Sequence, residues 1–455
     1  MRNKIIILSL LAVFVLSAGF GCKTLSKETK QAIEPVTLNY WRVFDGQDAF
    51  AEVIQKYNEL HPNVTIKYRK LRYEEFEREL LDALAEDRGP DIFSIQNTWL
   101  RKYETKLAPL PKTITMAYQF EEGTLKKEIV TRLQTYQSLS LKDLRDNFVD
   151  VVANDVIIDD KIYGLPLAVD TLAMYYNRDL LNRAGISEVP QYWNQEFVQA
   201  VKEMTIQNMQ REIVQSGVAL GGADNINRAS DILAALMLQS GATMMSDSGQ
   251  VLFHTSARGS ALNPGADALR FYSDFANPGK ESYAWNEDLP NSLDMFMSGN
   301  LAIMFSYAYD LPTIRSQAPK LNFSLAKLPQ IEGNPPTNIN IANYWVEVVS
   351  KKSEHVNEAW DFLQFITKAD NVRSYLEKSN KPTALRSLIN AQRASDDLGV
   401  FASQLLTAKS WYRGKDVISA EQALAEMITL APNYPEDKLK DLINLVAAKV
   451  QQTVY

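Results

Sequence analysis

The side chains able to do acid–base, nucleophilic or metal chemistry are few and scattered. His61, His254 and His355, the three histidines, lie far apart at predicted helix edges or loops, and read as surface or capping residues rather than ligands or bases. Cys22 is the single cysteine in 455 residues, so an internal disulfide and the Cys/His spacings of a zinc site are both excluded. There is no G-x-S-x-G elbow, no G-x-x-x-x-G-K-[ST] phosphate loop and no H-E-x-x-H. With 55 acidic residues, carboxylate pairs are always available, and only their separation in space says whether one can cleave a glycosidic bond. What remains is aromatic and neutral polar: Trp41, Trp99, Trp345 and Trp411 fall near predicted strand ends or in loops, beside Asn97, Asn343 and Tyr344. Aromatic faces pack on the C–H faces of sugar rings while amides and carboxylates chelate the hydroxyls, the mixture of a carbohydrate pocket. Core packing of the same tryptophans is the alternative, and composition does not choose between the two.

The N-terminus gives a location. Arg2 and Lys4 precede the almost wholly apolar run Ile5 to Gly21, which ends in small residues, the layout of a secretory signal. Its 17 residues are short for a membrane span of about 20. "GFGC" (19–22) resembles the lipobox of bacterial lipoproteins, although Gly19 stands where Leu is usual and Phe20 where a small residue is usual. The resemblance implies a signal peptide at 1–21, a diacylglyceryl group on Cys22, and a polar tether at 22–35. The protein is then exported and held at the outer face of the cell membrane, or on the periplasmic side, by the lipid. Loss of residues 1–21 removes only Arg2 and Lys4, leaving 46 basic against 55 acidic residues and a formal charge of −9. Nucleic acid is therefore excluded as a partner, for want of a basic footprint.

The elements that must position these residues begin at residue 36. "VTLNYWRVF" (36–44) reads as a strand, and "DAFAEVIQKYNEL" (48–60) as a helix with Phe50, Val53, Ile54, Tyr57 and Leu60 on one face. "NVTIKYRKL" (63–71) alternates as a strand, "YEEFERELLDALAED" (73–87) is a second amphipathic helix, and "RGPDIFSI" (88–95) ends it before a third strand. This βαβαβ order opens a doubly wound α/β domain, whose ligands bind beyond the carboxyl ends of the strands, here Trp41 to Asp45 and Gln96 to Trp99. Residues 111–150 read as polar and helix-rich. In "DDKIYGLPLAVDTLAMYYNRDLLNRAG" (159–185), Pro166 interrupts a strand, which fits a crossing between two sheets better than a straight central strand. "ASDILAALMLQSGA" (229–242) is a buried helix with a glycine stop, "LPQIEGNPP" (328–336) a linker, "NIANYWVEVVS" a strand, and "EHVNEAWDFLQFIT" (354–367) a striped helix. The tail from about residue 385 is mostly helical.

The order of these motifs resembles the extracellular solute-binding proteins of ABC importers, specifically the family-1 group that includes sugar-binding proteins. The carriers are the "YW" strand followed by "FAEVIQKYNELHPNVTIKY", then "RGPDIFSI", "KIYGLPLAVDTLAMYYNRDLLNRAG", "MSGNLAIMFSYAY" and "NYWVEVVSKKSEHVNEAWDFLQFIT". The resemblance implies a two-lobed α/β periplasmic-binding-protein fold of type II, its lobes joined by crossing hinge strands near Leu165 to Ala168, Asn334 to Asn340 and Lys381 to Ala384. One lobe is then 36–165 with 338–382, and the other 166–337 with 383–455.

The resemblance also implies ligand-binding positions. Trp41 and Asp45 match the loop after the first strand, Gln96 and Asn97 the loop after "PDIFSI", and Asp170 an acidic hydroxyl-binding position past the first crossing. Ser306, Tyr307 and Tyr309 match a segment that supplies a stacking aromatic, Trp411 sits in a loop that places an aromatic against the sugar, and Asn225 and Arg228 match a cleft loop. Asn343, Tyr344 and Trp345 stand where glycines are common, and their bulk argues against a long oligosaccharide. Each of these positions has a packing or surface role as its alternative.

The implied function is capture without chemistry: a small, sugar-like molecule binds one lobe, the other closes on it, and a permease receives it. A monomer without cofactor or metal is expected. The rivals are an exported carbohydrate-active enzyme using two cleft carboxylates, and an envelope adhesion or assembly lipoprotein with a degenerate cleft.

Overall fold

In a computed structural model the described residues are 32–123, 127–256, 263–333 and 338–455. The leader, Cys22, most of the tether and the prolines of "GNPP" lie outside them. Strand Val36–Val43 alternates buried and open positions and pairs in parallel with Val64–Leu71, Val36 opposite Val64, and with Ile92–Gln96, Tyr40 opposite Ile92. Helices Ala51–Leu60 and Tyr73–Ala85 bury Val53, Tyr57, Phe76, Leu80 and Leu84, as their spacing requires, while Leu60 stays exposed at the helix end. Each large apolar side chain so buried is worth about 2 kcal/mol. Trp345–Val349 adds antiparallel to Ile92–Gln96, and Leu165–Pro166 closes the five-stranded sheet. Pro166 thus sits on an edge strand, where its missing N–H leaves no ladder bond unmade.

A second five-stranded sheet runs in the order Ile206–Gln207, Ile213–Val218, Leu301–Ser306, Ala173–Asn177, Phe323–Lys327. Helix Ala229–Gln239 is buried almost all round, and Gly241, at φ +92°, stops it as expected. Between the two sheets lies a short ribbon in which Asn340–Asn343 pairs with Asp170–Thr171 on one side and Ala408–Lys409 on the other. The chain leaving Pro166 passes through this ribbon to enter the second sheet at Ala173, and Asn340–Asn343 breaks at Tyr344 before entering the first sheet as Trp345–Val349. Beside the first passage, Val169 N–H donates to Pro382 C=O at 3.1 Å. The architecture is the two-lobed α/β arrangement that the resemblance implies.

Residues 111–150 depart from their helix-rich expectation. They form a long antiparallel hairpin, Thr113–Glu122 with Glu128–Gln137, followed by helix Leu141–Asn147 with its Ser140 and Asp143 capping box. The period-two signal was there: Ile114 and Met116 are buried while Thr113 and Thr115 are open, and Gly123 turns the chain at φ +112°. Tyr118 and Tyr136 hold the hairpin down by donating to Asp361 of helix Val356–Ile366. His61 caps helix Ala51–Leu60 but is not at the surface. It is 1% exposed, with its ring nitrogens facing Ala117 C=O at 3.2 Å and Asp361 Oδ2 at 3.3 Å, and burial lowers its pKa. Among the described residues no helix is long and apolar enough to cross a membrane.

Candidate functional site

A cavity of about 580 Å³ opens between the two sheets, at the carboxyl ends of Val36–Val43 and Ile92–Gln96. The first sheet and its helices contribute Arg42, Phe44, Asp45, Tyr73 and Gln96. The second contributes Arg228, Ala308, Tyr309 and Pro312, the ribbon and crossings supply Leu167, Asp170, Asn343, Tyr344 and the Ser379 to Pro382 turn, and Trp345 joins them from the start of its strand in the first sheet.

The cations in its wall are each paired with carboxylates. Arg42, 3% exposed, reaches Asp45 Oδ2 at 2.9 Å and Glu347 Oε1 at 3.0 Å. Asp45 also accepts from Tyr375 O–H at 3.0 Å and from Lys381 Nζ at 2.7 and 2.8 Å on its two oxygens. Burial pushes the Asp45 carboxyl up, but Arg42 and Lys381 outweigh it and hold the group below the usual carboxylate range. Glu347 is raised by burial, against the pull of Arg42. On the opposite wall Arg228 donates to Asp231 at 2.8 Å and Glu421 at 3.0 Å. Asp170 has no cation in hydrogen-bonding contact. It accepts from the N–H groups of Thr171 at 2.9 Å and Tyr309 at 3.3 Å, and burial pushes its pKa to about 7.

The apolar part of the wall is aromatic. Phe44 lies nearly parallel to Tyr73, ring centroids 5.7 Å apart, and Trp345 meets Phe44 edge-on at 5.6 Å. Tyr309 stacks on Tyr307 at 5.7 Å from the other side. Phe44, Tyr73 and Tyr309 are 53%, 48% and 47% exposed, so none of the three residues is closed off by the fold.

Of the positions expected from the sequence, Asp45, Gln96, Asp170, Arg228, Tyr309, Asn343, Tyr344 and Trp345 border this cavity. The others do not. Trp41 points to the other face of its strand, with Arg69 4.7 Å over its ring. Asn97 is buried, donating to Ser410 Oγ at 2.9 Å and Asp155 at 3.3 Å. Asn225 braces its own loop through the carbonyls of Asn286 and Leu289. Ser306 is buried against Asp310. Tyr307 O–H and Trp411 Nε1–H both donate to Asp231, at 2.7 and 2.9 Å, forming with Arg228 a buried layer beneath Tyr309. Phe44 and Arg42 fall inside the loop that the strand-end rule marked but were not singled out. Tyr73 carried no signal beyond its place in a helix and Lys381 none beyond a crossing, and Tyr375, in helix Ala369–Ser379, carried none.

Comparison with known proteins agrees with this architecture. The family model for bacterial extracellular solute-binding proteins matches residues 45–373. A putative binding protein of Brucella abortus is 22% identical over 413 residues, which cover 86% of this chain and 87% of that one. The galactooligosaccharide-binding protein of Bacillus subtilis is 25% identical over 259 residues, 55% of each chain. Among solved structures, the cyclic alpha-maltosyl-1,6-maltose binding protein of Arthrobacter globiformis matches with a TM-score of 0.72 at 18% identity, over 92% of this chain and 99% of that one.

Proposed function

The chain belongs to the bacterial extracellular solute-binding protein family, and from that premise we propose that it captures a small uncharged carbohydrate between its lobes and delivers it to an ABC importer. The observation that carries this reading is the cavity wall. Three half-exposed aromatic rings and the amides of Gln96 and Asn343 line it, while Arg42, Lys381 and Arg228 are each already paired with a carboxylate. Free cations are what a phosphorylated ligand needs, and ring faces with neutral amides are what a sugar needs. The galactooligosaccharide and maltosyl-maltose ligands named for two of the matched proteins support the same class.

In this account the lobes are 36–165 with 338–382 and 166–337 with 383–455, and the passages through the ribbon act as the hinge. The ligand stabilises the closed form only through contacts made preferentially in that form. A lipid on Cys22, followed by the tether 22–35, holds the monomeric protein at the membrane beside its permease; mass spectrometry of the mature N-terminus checks this, an unmodified cysteine contradicting it. An enzyme would use a free pair of carboxylates, whereas both oxygens of Asp45 are engaged by Arg42, Tyr375 and Lys381, leaving Asp170 alone in the wall.

A thermal-shift screen against sugars, polyols and glycerol phosphates tests the proposal. A ligand that binds only the folded state adds about 2.7 kcal/mol at a hundred times its Kd. Neutral sugars are expected to raise Tm, and a shift with glycerol phosphates alone contradicts the account.

A further inference from the structure

Phe44 has a φ of +66°, a conformation that bulky residues rarely adopt. Of the other described non-glycine residues with positive φ, Asp87, Asp159, Asp160 and Asn380 are of types that tolerate it, Arg211 and Arg228 are not, and Phe44 is the only aromatic one. The N–H of Asp45 donates to the carbonyl of Val43 at 2.8 Å, closing a three-residue turn around Phe44. A three-residue turn with positive φ at its centre is strained. Such strain persists only where the surroundings over-determine it, and it gathers at functional sites.

The restraints here act on the next residue. Arg42, Tyr375 and Lys381 hold the Asp45 carboxylate, and Tyr68 O–H donates to the Asp45 carbonyl at 2.7 Å. What the turn delivers is the Phe44 ring, laid along Tyr73 and against the edge of Trp345. Burial does not account for it, because at 53% exposure half of the Phe44 residue stays open at the cavity.

We infer that Phe44 is the main ring-stacking contact for the captured solute, and that Asp45 is a positioning residue that holds the turn rather than a ligand for hydroxyls. Phe44, stacked on Tyr73, offers an uncharged ring, which fits the C–H face of a pyranose and gives nothing to a phosphate or a small acyclic anion. This rests on the carbohydrate reading proposed above.

The test titrates the wild type, Phe44→Gly, Phe44→Trp, Asp45→Asn and the double variant with the neutral sugar that shifts the wild type most, and records the ligand-free Tm of each. Phe44→Gly removes the ring and relieves the strain, so Kd is expected to weaken about tenfold or more while the ligand-free Tm is held or raised. Phe44→Trp is expected to stay within about threefold of the wild type. Asp45→Asn is expected to weaken binding alone and to add nothing in the Phe44→Gly background, since coupled residues are not additive. Equal affinity of the wild type and Phe44→Gly overturns the ring contact, and additive losses overturn the positioning role. If no sugar shifts the wild type, the carbohydrate reading fails and this inference falls with it.

Discussion

Tyr344 donates its hydroxyl to Asp155 Oδ2 at 2.7 Å, tying the residue where the chain leaves the ribbon to helix Asp150–Val156. From the other side of the ribbon, Ser410 donates to the same oxygen and Arg413 Nε lies 3.5 Å from Oδ1, with Asn97 completing the group. One buried carboxylate therefore joins the crossing strand, the loop after Ile92–Gln96 and the segment after Ala408–Lys409.

Asp155→Ala leaves these donors without their acceptor. A loss of about 3 kcal/mol is expected, read as a lower urea midpoint. A larger radius of gyration without ligand is expected too, because the group bridges segments assigned to different lobes.

Arg42→Leu is expected to cost about 3–5 kcal/mol, since it strips the cation from Glu347, which is 0% exposed, and leaves Asp45 with Lys381 as its one cation. Denaturant unfolding measures it. The same variant is expected to weaken sugar binding, because it loosens the clamp on Asp45.

Asp170 gives stability a pH dependence. Its pKa in the fold is about 7 against an ordinary 3.8, so between these values the folded protein holds a proton that the unfolded chain has released. Stability from this group is full below about pH 4 and is lost as pH rises towards 7. Asp170→Asn is expected to flatten that component, so Tm should fall less between pH 5 and 8 than in the wild type.

Tyr136→Phe removes one of the two hairpin donors that pin the 113–137 segment to Asp361. A loss of about 1 kcal/mol is expected, together with faster limited proteolysis within that segment.

Much of the scaffold can be read from the sequence, because it is local. The apolar spacing of Phe76, Leu80 and Leu84 sets a helix face, and Pro166 rules out a straight central strand, in keeping with its place on the sheet edge. The hairpin at 113–137 was masked by its charges, which crowd the turn and dilute the alternation of Ile114 and Met116. The cavity is harder to read because its chemistry is made of distant pairs. Asp45 and Lys381 are 336 positions apart, and nothing in either neighbourhood announces the other. Trp41 and Phe44 show the other difficulty: strand alternation sends Trp41 away from the cavity, and a strained turn, invisible in residue types, brings Phe44 into it.

Small-angle X-ray scattering of the protein, with and without a saturating neutral sugar that raises its Tm, reads lobe closure itself. Capture by lobe closure predicts a smaller radius of gyration in the sugar-bound sample. A sugar demonstrably bound with no change in the radius of gyration contradicts it.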